Sequence, residues 1–96
     1  MKRSNESTLK EALERLVDGY GLREKLDEQA VASLWDEVAG GMVARHTMAV
    51  KLRKGKLYIK VDSAPLRQEL TFMRDTMAQA INQRLGRTVV EQIQLD

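Results

Sequence analysis

The sequence predicts one α+β domain, in which helices cover one face of a three-stranded sheet and leave the other face open. Two different spacings of apolar residues along the chain predict this class. Apolar residues recur every three or four positions in residues 8–38 and 63–86, as in a helix, and every second position in residues 48–61, as in a strand. A chain of 96 residues is expected to build one hydrophobic core. We therefore assign residues 1–96 to a single domain, with disorder expected in residues 1–6.

The first predicted helix begins at a capping box, in which the hydroxyl of Thr8 binds a backbone amide and Glu11 reaches back. Gly19 and Gly21 predict its end, because either can adopt the positive φ of a helix C-cap. Its apolar face comprises Leu9, Leu13, Leu16, Val17 and Tyr20. That face is expected to pack in the core.

The second predicted helix is led by Asp27 and ends at Gly40 and Gly41. Its apolar face comprises Val31, Leu34, Trp35 and Val38. Because Trp35 lies on this face, we interpret it as a core residue rather than as a platform for stacking a base. One further short helical turn is expected over residues 42–46.

A β-hairpin is predicted to follow, with its turn around Lys54 and Gly55. The inward-facing positions are expected to be Met48, Val50, Leu52, Leu57, Ile59 and Val61. The outward-facing positions carry Lys51, Arg53, Lys56, Tyr58 and Lys60. This alternation is typical of an antiparallel sheet with one face in solvent.

One long helix and a last strand complete the prediction. Ser63 is the expected N-cap, Pro65 lies in the first turn, and Gly86 closes the helix. A single stripe is expected to hold Leu66, Leu70, Met73, Met77, Ile81 and Leu85. Residues 88–95 are rich in Val and Ile and predict a strand. Because inward Ile93 would also turn Glu91 inward, we expect a bulge or an edge position there.

Composition excludes several function classes. There is no cysteine, so disulfides and thiolate metal sites are excluded and a reducing, cytoplasmic environment is expected. His46 is the only histidine, which leaves too few ligands for a structural zinc site. We expect no catalytic residue, cofactor or small-molecule substrate. For His46 we expect a hinge or capping role, or a phosphate contact beside Arg45. No secretory signal or membrane-spanning stretch is visible, so no membrane partner is expected.

The charges are distributed unevenly along the chain. Residues 1–41 carry six Lys/Arg and nine Asp/Glu (−3), residues 42–60 carry six Lys/Arg and no acid (+6), and residues 61–96 carry four and five (−1). These balances add to the formal net charge of +2. A concentrated basic segment favours an anionic partner that is met in one place.

Nucleic acid is the anionic partner that we predict. Lysine and arginine on an exposed sheet can neutralise phosphates, and Tyr58 among them offers a ring on which an unpaired base can stack. The candidate binding residues are Arg45, Lys51, Arg53, Lys54, Lys56, Tyr58, Lys60 and Arg67. The alternative is a solvated face, since lysines also protect exposed strands from aggregation.

A run of spaced motifs resembles the DciA-like family of bacterial proteins. The motifs are Trp35 with Val38-Ala39-Gly40, His46-Thr47, the segment Leu57-Tyr58-Ile59-Lys60-Val61-Asp62-Ser63, Leu66-Arg67-Gln68-Glu69-Leu70, and Ile81-Asn82. The resemblance implies a K-homology-like α-α-β-β-α-β fold, binding of single-stranded or forked DNA, and a part in loading the DnaB-type replicative helicase. Two features depart from the patterns. The sequence ends at Asp96 without the long C-terminal tail of better-studied members, and it has no G-x-x-G loop of true K-homology domains.

Two other functions remain open from the sequence. An RNA-binding module could use the same scaffold, because phosphate contacts carry no sequence information. A protein-binding adaptor could instead use the edge of the last strand or the acidic residues of the second helix. Those acidic residues are Glu24, Asp27, Glu28, Asp36 and Glu37.

Overall fold

The structure is a computed structural model that describes the backbone of residues 2–96 and the side chains of residues 8–96. We expected disorder in residues 1–6. The side chains of these residues lie outside the described part of the chain, so this expectation stays a prediction. The elements are α1 (Lys2–Gly19), α2 (Arg23–Ala39), α3 (Gly41–Arg45), β1 (Thr47–Arg53), β2 (Lys56–Val61), α4 (Ala64–Thr71), α5 (Arg74–Leu85) and β3 (Gln92–Leu95). The α+β class is confirmed, and the order is consistent with a K-homology-like arrangement.

The sheet has the strand order β1-β2-β3, so β2 is central. Strands β1 and β2 are antiparallel and meet at a tight turn, in which Lys54 has φ 51° and Gly55 has φ 79°. Positive φ at both central residues is typical of a type I′ turn, whose twist matches that of the two strands. Strand β3 runs parallel to β2, because α4 and α5 carry the chain back across the sheet.

The hydrophobic core lies between the helices and one face of the sheet. Its buried residues are Val31, Trp35, Val43, Leu52, Leu57, Ile59, Val61, Leu70, Met77, Ile81, Val89, Val90 and Ile93. Helices α2, α4 and α5 contribute to this cluster, and α2 packs on β1 and α5. The prediction that Trp35 is a core residue is confirmed, since its side chain is 2% exposed.

The helix predicted over residues 63–86 is in fact two helices. Ser63 is the N-cap and accepts a hydrogen bond from the backbone N–H of Leu66 at 3.3 Å, and Gly86 ends the second helix in the left-handed conformation. Between them, the N–H of Phe72 turns to the carbonyl of Glu69 at 3.2 Å, and this tighter bond ends α4. The change of direction keeps Met77 in the core and leaves Met73 about half exposed, so the prediction of Met73 as core was wrong.

The starts of the first two helices also differ from prediction. Helix α1 begins at Lys2, so Thr8 lies inside the helix rather than at its N-cap. Helix α2 begins at Arg23, four residues before Asp27. The chain turns between them at Gly21, which has φ 67°, and the N–H of Leu22 reaches the carbonyl of Val17 at 2.8 Å. This is the bonding of a Schellman motif, which lets α2 start as soon as α1 has ended.

The irregularity expected in the last strand is found in the first. A register shift between Thr47 and Ala49 turns Met48 outward, so the prediction of an inward Met48 was wrong. Strand β3 lies at an edge, as predicted, but it begins only at Gln92, so Glu91 precedes the strand and is exposed without turning Ile93 away from the core.

Asn82 holds the connection between α5 and β3. Its Oδ1 accepts hydrogen bonds from the N–H groups of Val89 (2.9 Å) and Val90 (2.8 Å), and its Nδ2 donates to the carbonyl of Val90 (2.8 Å). These bonds satisfy backbone groups in the segment between α5 and β3. They allow Val89 and Val90 to be buried just before β3 begins.

No helix in the described part of the chain is both long and apolar enough to cross a lipid bilayer.

Candidate nucleic-acid interface

The pairing of β1 with β2 assembles the outward-facing residues of the hairpin. Lys51 lies opposite Tyr58, Arg53 lies opposite Lys56, and Lys60 lies opposite Ala49. Successive side chains on a strand point to opposite faces, and the intervening Leu52, Leu57, Ile59 and Val61 are buried. The five residues Lys51, Arg53, Lys56, Tyr58 and Lys60 therefore share one surface, which we call the open face.

Strand β3 adds two polar residues to the open face. Gln92 is aligned with Lys56 and Gln94 with Tyr58, while Ile93 between them is buried. Their amides can each donate and accept hydrogen bonds. Sequence reasoning missed both residues, because their position depends on a parallel pairing that the local pattern does not reveal.

The cations of the open face have no acidic partners among the described side chains. Among residues 8–96, no ion pair involves Lys51, Arg53, Lys56 or Lys60. Two arginines at and just after the end of α5 are in a different situation, since Arg84 pairs with Glu37 and Arg87 with Asp27. Four unpaired cations beside each other leave the open face with a local positive potential that attracts anions.

A shallow concavity of about 450 Å³ lies at the end of the open face near the hairpin turn. It is lined by Arg53, Lys54, Gly55, Lys56, Tyr58, Glu91 and Gln92. The ammonium of Lys56 lies 5.4 Å from the centroid of the Tyr58 ring, within the range of a cation–π contact. One side of the half-buried ring is therefore occupied by Lys56. Glu91 supplies one negative charge at the rim, next to Gly55.

The remaining candidates lie elsewhere. Lys54 is in the hairpin turn and borders the concavity. Arg45 is at the end of α3, beside the start of β1, which is the opposite end of the strand from the turn. Arg67 belongs to α4, whose Leu70 lies in the core on the helical side of the sheet. Its Nε is buried and has no hydrogen-bond partner among the described residues. The structure thus brings together six of the eight candidates, and Arg45 and Arg67 are outside that cluster.

His46 and its neighbours form a set of structural contacts. The Nε1 of Trp35 donates to the Oγ1 of Thr47 at 2.8 Å, and that hydroxyl donates to the carbonyl of Val43 at 2.8 Å. His46 is the C-cap of α3, and its Nδ1 lies 2.8 Å from the Oδ1 of Asp62. These contacts join α2 and α3 to the start of the hairpin. The described residues contain no cluster of three or more His, Cys, Asp or Glu side chains that could hold a metal ion.

Two acidic residues of α2 cover the outer edge of β1. The carboxylate of Glu28 accepts the N–H of Leu52 at 2.9 Å, and that of Glu24 accepts the N–H of Lys54 at 2.7 Å. An edge strand otherwise presents unpaired N–H groups that can recruit another chain. These carboxylates therefore close the edge of β1 with charge-assisted hydrogen bonds.

Two further acids of α2 pair with the region around the end of α5. Asp27 pairs with Arg87, and Glu37 pairs with Arg84. Asp36 is exposed and makes no side-chain hydrogen bond or ion pair within residues 8–96. Most of the acidic group that the sequence suggested for a protein partner is thus engaged within the chain.

Comparison with known proteins identifies the family. A family model described as "Dna[CI] antecedent, DciA" matches residues 8–95, nearly the whole chain. A UPF0232 protein of Corynebacterium glutamicum (strain R) is 28% identical over 65 residues, which cover 68% of this chain and 36% of that protein. The chain thus spans about a third of the length of that relative. The match over residues 8–95 shows that the chain belongs to the DciA family, which is associated with loading of the DnaB-type replicative helicase.

Proposed function

We propose that this protein binds single-stranded or forked DNA through the open face and assists the loading of its replicative helicase. The observation that carries the DNA-binding part is the register of the hairpin, which gathers four unpaired cations around Tyr58. Membership of the DciA family supports the proposed role in helicase loading. A nucleic-acid strand lying across β1, β2 and β3 would meet phosphate-binding groups first and the two glutamines beyond them.

The four cations predict the strength of the salt dependence. A protein that neutralises phosphates on a single strand loses affinity with a log-log slope of about −0.7 for each contact. Contacts from Lys51, Arg53, Lys56 and Lys60 would therefore give a slope of about −3. A slope near zero would contradict binding through these cations.

Tyr58 supplies the contact that favours unpaired bases. Removing an aromatic platform costs about 1–3 kcal/mol for each stacked base. Because Lys56 covers one side of the ring, a base would stack on the other side or displace Lys56 toward a phosphate. Tyr58→Ala should weaken binding to single strands by about 5- to 150-fold, while Tyr58→Phe keeps the ring and most of the affinity. Equal loss in both variants would contradict stacking.

The decisive experiment compares two charge reversals of equal size. Lys51→Glu/Lys56→Glu removes two cations from the open face, whereas Lys10→Glu/Lys25→Glu makes the same change of net charge on α1 and α2. Fluorescence anisotropy with a 20-nucleotide strand at several salt concentrations measures both affinity and slope. We expect the first variant to halve the slope and the second to keep it. Similar losses in both variants would mean that net charge, not the open face, governs binding.

Parallel titrations with DNA and RNA of the same sequence decide between the two nucleic acids. Contacts to phosphates do not discriminate the two, so discrimination must come from the glutamines or Tyr58 meeting the base or the 2′-hydroxyl. Our proposal expects binding of DNA at least as tight as that of RNA. Tighter binding of RNA by tenfold or more would favour the RNA-binding alternative.

The helicase role is tested separately with the cognate replicative helicase. Sedimentation velocity measures association, and retention of the helicase on a surface coated with single-stranded DNA measures loading. We expect the domain to increase retention, and Lys51→Glu/Lys56→Glu to reduce the increase. Absence of both association and improved retention at micromolar concentrations would refute the helicase role. DNA binding would then be judged from the anisotropy titrations alone.

A further inference from the structure

Helix α1 carries a row of apolar side chains that the rest of the described chain leaves uncovered. Leu9, Leu13, Leu16 and Tyr20 are 62%, 53%, 52% and 74% exposed. Within the described residues, no other element packs extensively on α1, in contrast to α2, α4 and α5, and the molecule is accordingly long, with extents of 57 × 22 × 21 Å. We call these four residues the α1 ridge. The sequence predicted that this face packs in the core, and that prediction was wrong.

The spacing of the α1 ridge matches that of a helix–helix interface. The steps between its members are four, three and four residues, which is the a/d pattern of a short coiled coil. The surface beside it forms a groove of about 320 Å³, lined by Leu9, Lys10, Leu13, Glu14, Val17 and Arg23. In proteins, most of the stability of a helix comes from tertiary packing of its apolar face rather than from helix propensity. A second helix in the groove would supply that packing.

We propose that the α1 ridge pairs with the same ridge of a second copy, with the two helices antiparallel. A two-fold axis between Glu14 and Arg15 places Leu13 opposite Leu16, and Leu9 opposite Tyr20, of the second copy. Every apolar residue of the ridge then meets another, as an isologous interface requires.

The connection to the folded domain favours the antiparallel arrangement. All elements from α2 onward follow the C-terminal end of α1. Parallel helices would bring both domains to the same end of the pair. Antiparallel helices separate the two domains: Gly19 of one copy lies opposite Lys10 of the other, so the two C-terminal ends of α1 are about 14 Å apart along the helix axes, at 1.5 Å for each residue.

The available area is sufficient for a specific but weak dimer. Leu22 and Leu26 at the start of α2 are also exposed at this end of the molecule. Six such side chains at about 100 Å² each would remove roughly 600 Å² for each copy, or about 1,200 Å² in total, which is the lower bound for specific interfaces. We therefore expect dissociation in the micromolar range. This inference does not depend on DNA binding or on the helicase.

Sedimentation equilibrium of the 96-residue chain between about 1 and 200 µM tests the oligomeric state. We expect the mass to rise from 10.9 kDa toward twice that value. Leu13→Glu should stay monomeric at 200 µM with unchanged Trp35 fluorescence, because α1 is not part of the core. The control Glu11→Lys changes an outward position of the same helix and should dimerise. A parent chain that stays monomeric at 200 µM would overturn the proposal. The same holds if the parent is monomeric and Leu13→Glu weakens its binding to the helicase, because the α1 ridge would then bind a different protein.

Cysteine cross-linking tests the orientation, and the absence of native cysteine gives it a clean background. Leu9→Cys and Tyr20→Cys are made as separate proteins and mixed under oxidising conditions. Antiparallel pairing sets position 9 against position 20, whereas two copies of position 9 are about 16 Å apart, beyond the reach of a disulfide. We expect cross-linked dimers in the mixture and few in either protein by itself. Efficient cross-linking of each protein by itself would indicate parallel helices and overturn the proposed arrangement.

Discussion

The burial of Trp35 makes its replacement the sharpest test of the fold. The side chain is 2% exposed and fills the space between α2 and the start of β1. Truncation of such a residue costs its transfer free energy and leaves a cavity, and Trp35→Ala should lower the free energy of unfolding by about 3–5 kcal/mol. For a domain of this size that corresponds to a fall in Tm of at least about 12 °C.

A second variant separates the ring from its hydrogen bond. Trp35→Phe keeps most of the buried ring but leaves the Oγ1 of Thr47 without its donor, so we expect a smaller cost of about 1–2 kcal/mol. Urea unfolding followed by far-UV circular dichroism suits both variants, because each lacks the only tryptophan. If Trp35→Ala unfolds at the same urea concentration as the parent chain, the ring is exposed and the packing of α2 on the sheet is incorrect.

Two further substitutions probe the connections around β3. Asn82→Ala removes three hydrogen bonds and should lower the free energy of unfolding, measured in urea, by about 2–4 kcal/mol. Asn82→Asp keeps the two bonds in which Oδ1 is the acceptor, so its loss of stability should be smaller. Equal losses in the two variants would mean that the N–H groups of Val89 and Val90 do not need these bonds. Gly55→Ala should lower the free energy of unfolding by about 1–2 kcal/mol, because Gly55 has a positive φ. Adding Glu91→Ala should restore little of that stability, because the Glu91 carboxylate that lies 2.5 Å from the new Cβ can move away. Full recovery in the double variant would assign the cost to that contact instead.

Local patterns were sufficient to predict the elements that pack by period and the turns that depend on one or two residues. The hairpin with its turn at Gly55, the Ser63 cap and the buried face of α2 are examples. Patterns were insufficient where the outcome depends on a distant partner. An apolar stripe predicts that a helix face is covered but does not say by what, and so the face of α1 was assigned to the core. The break between α4 and α5 has the same origin, because the stripe continues across Phe72 without a proline or glycine to mark the turn.

The sequence predicted only part of the open face. Its lysines, Arg53 and Tyr58 follow from the period of two within one hairpin, which is local. Gln92 and Gln94 join them only through the parallel pairing of β3, and Arg67 is separated from them because α4 lies on the helical side. The role of Glu24 and Glu28 was missed for a similar reason: an acidic helix face looks solvated until the strand edge that it covers is known.

The engagement of these carboxylates changes how the adaptor alternative must be tested. Reversing charges on α2 was the natural test from sequence, but Glu28→Lys would leave the N–H of Leu52 without its partner and remove a charge-assisted bond, at a cost of about 2–3 kcal/mol. Loss of helicase association in that variant would then report partial unfolding. Asp36 is the suitable position, because its carboxylate has no partner within residues 8–96 and an exposed substitution should change stability by less than about 0.5 kcal/mol. We expect Asp36→Lys to keep both the urea midpoint and the loading of helicase onto DNA, while Lys51→Glu/Lys56→Glu reduces loading at an unchanged midpoint. The opposite result, in which Asp36→Lys abolishes association with the helicase and the hairpin variant retains it, would move the functional surface from the sheet to α2.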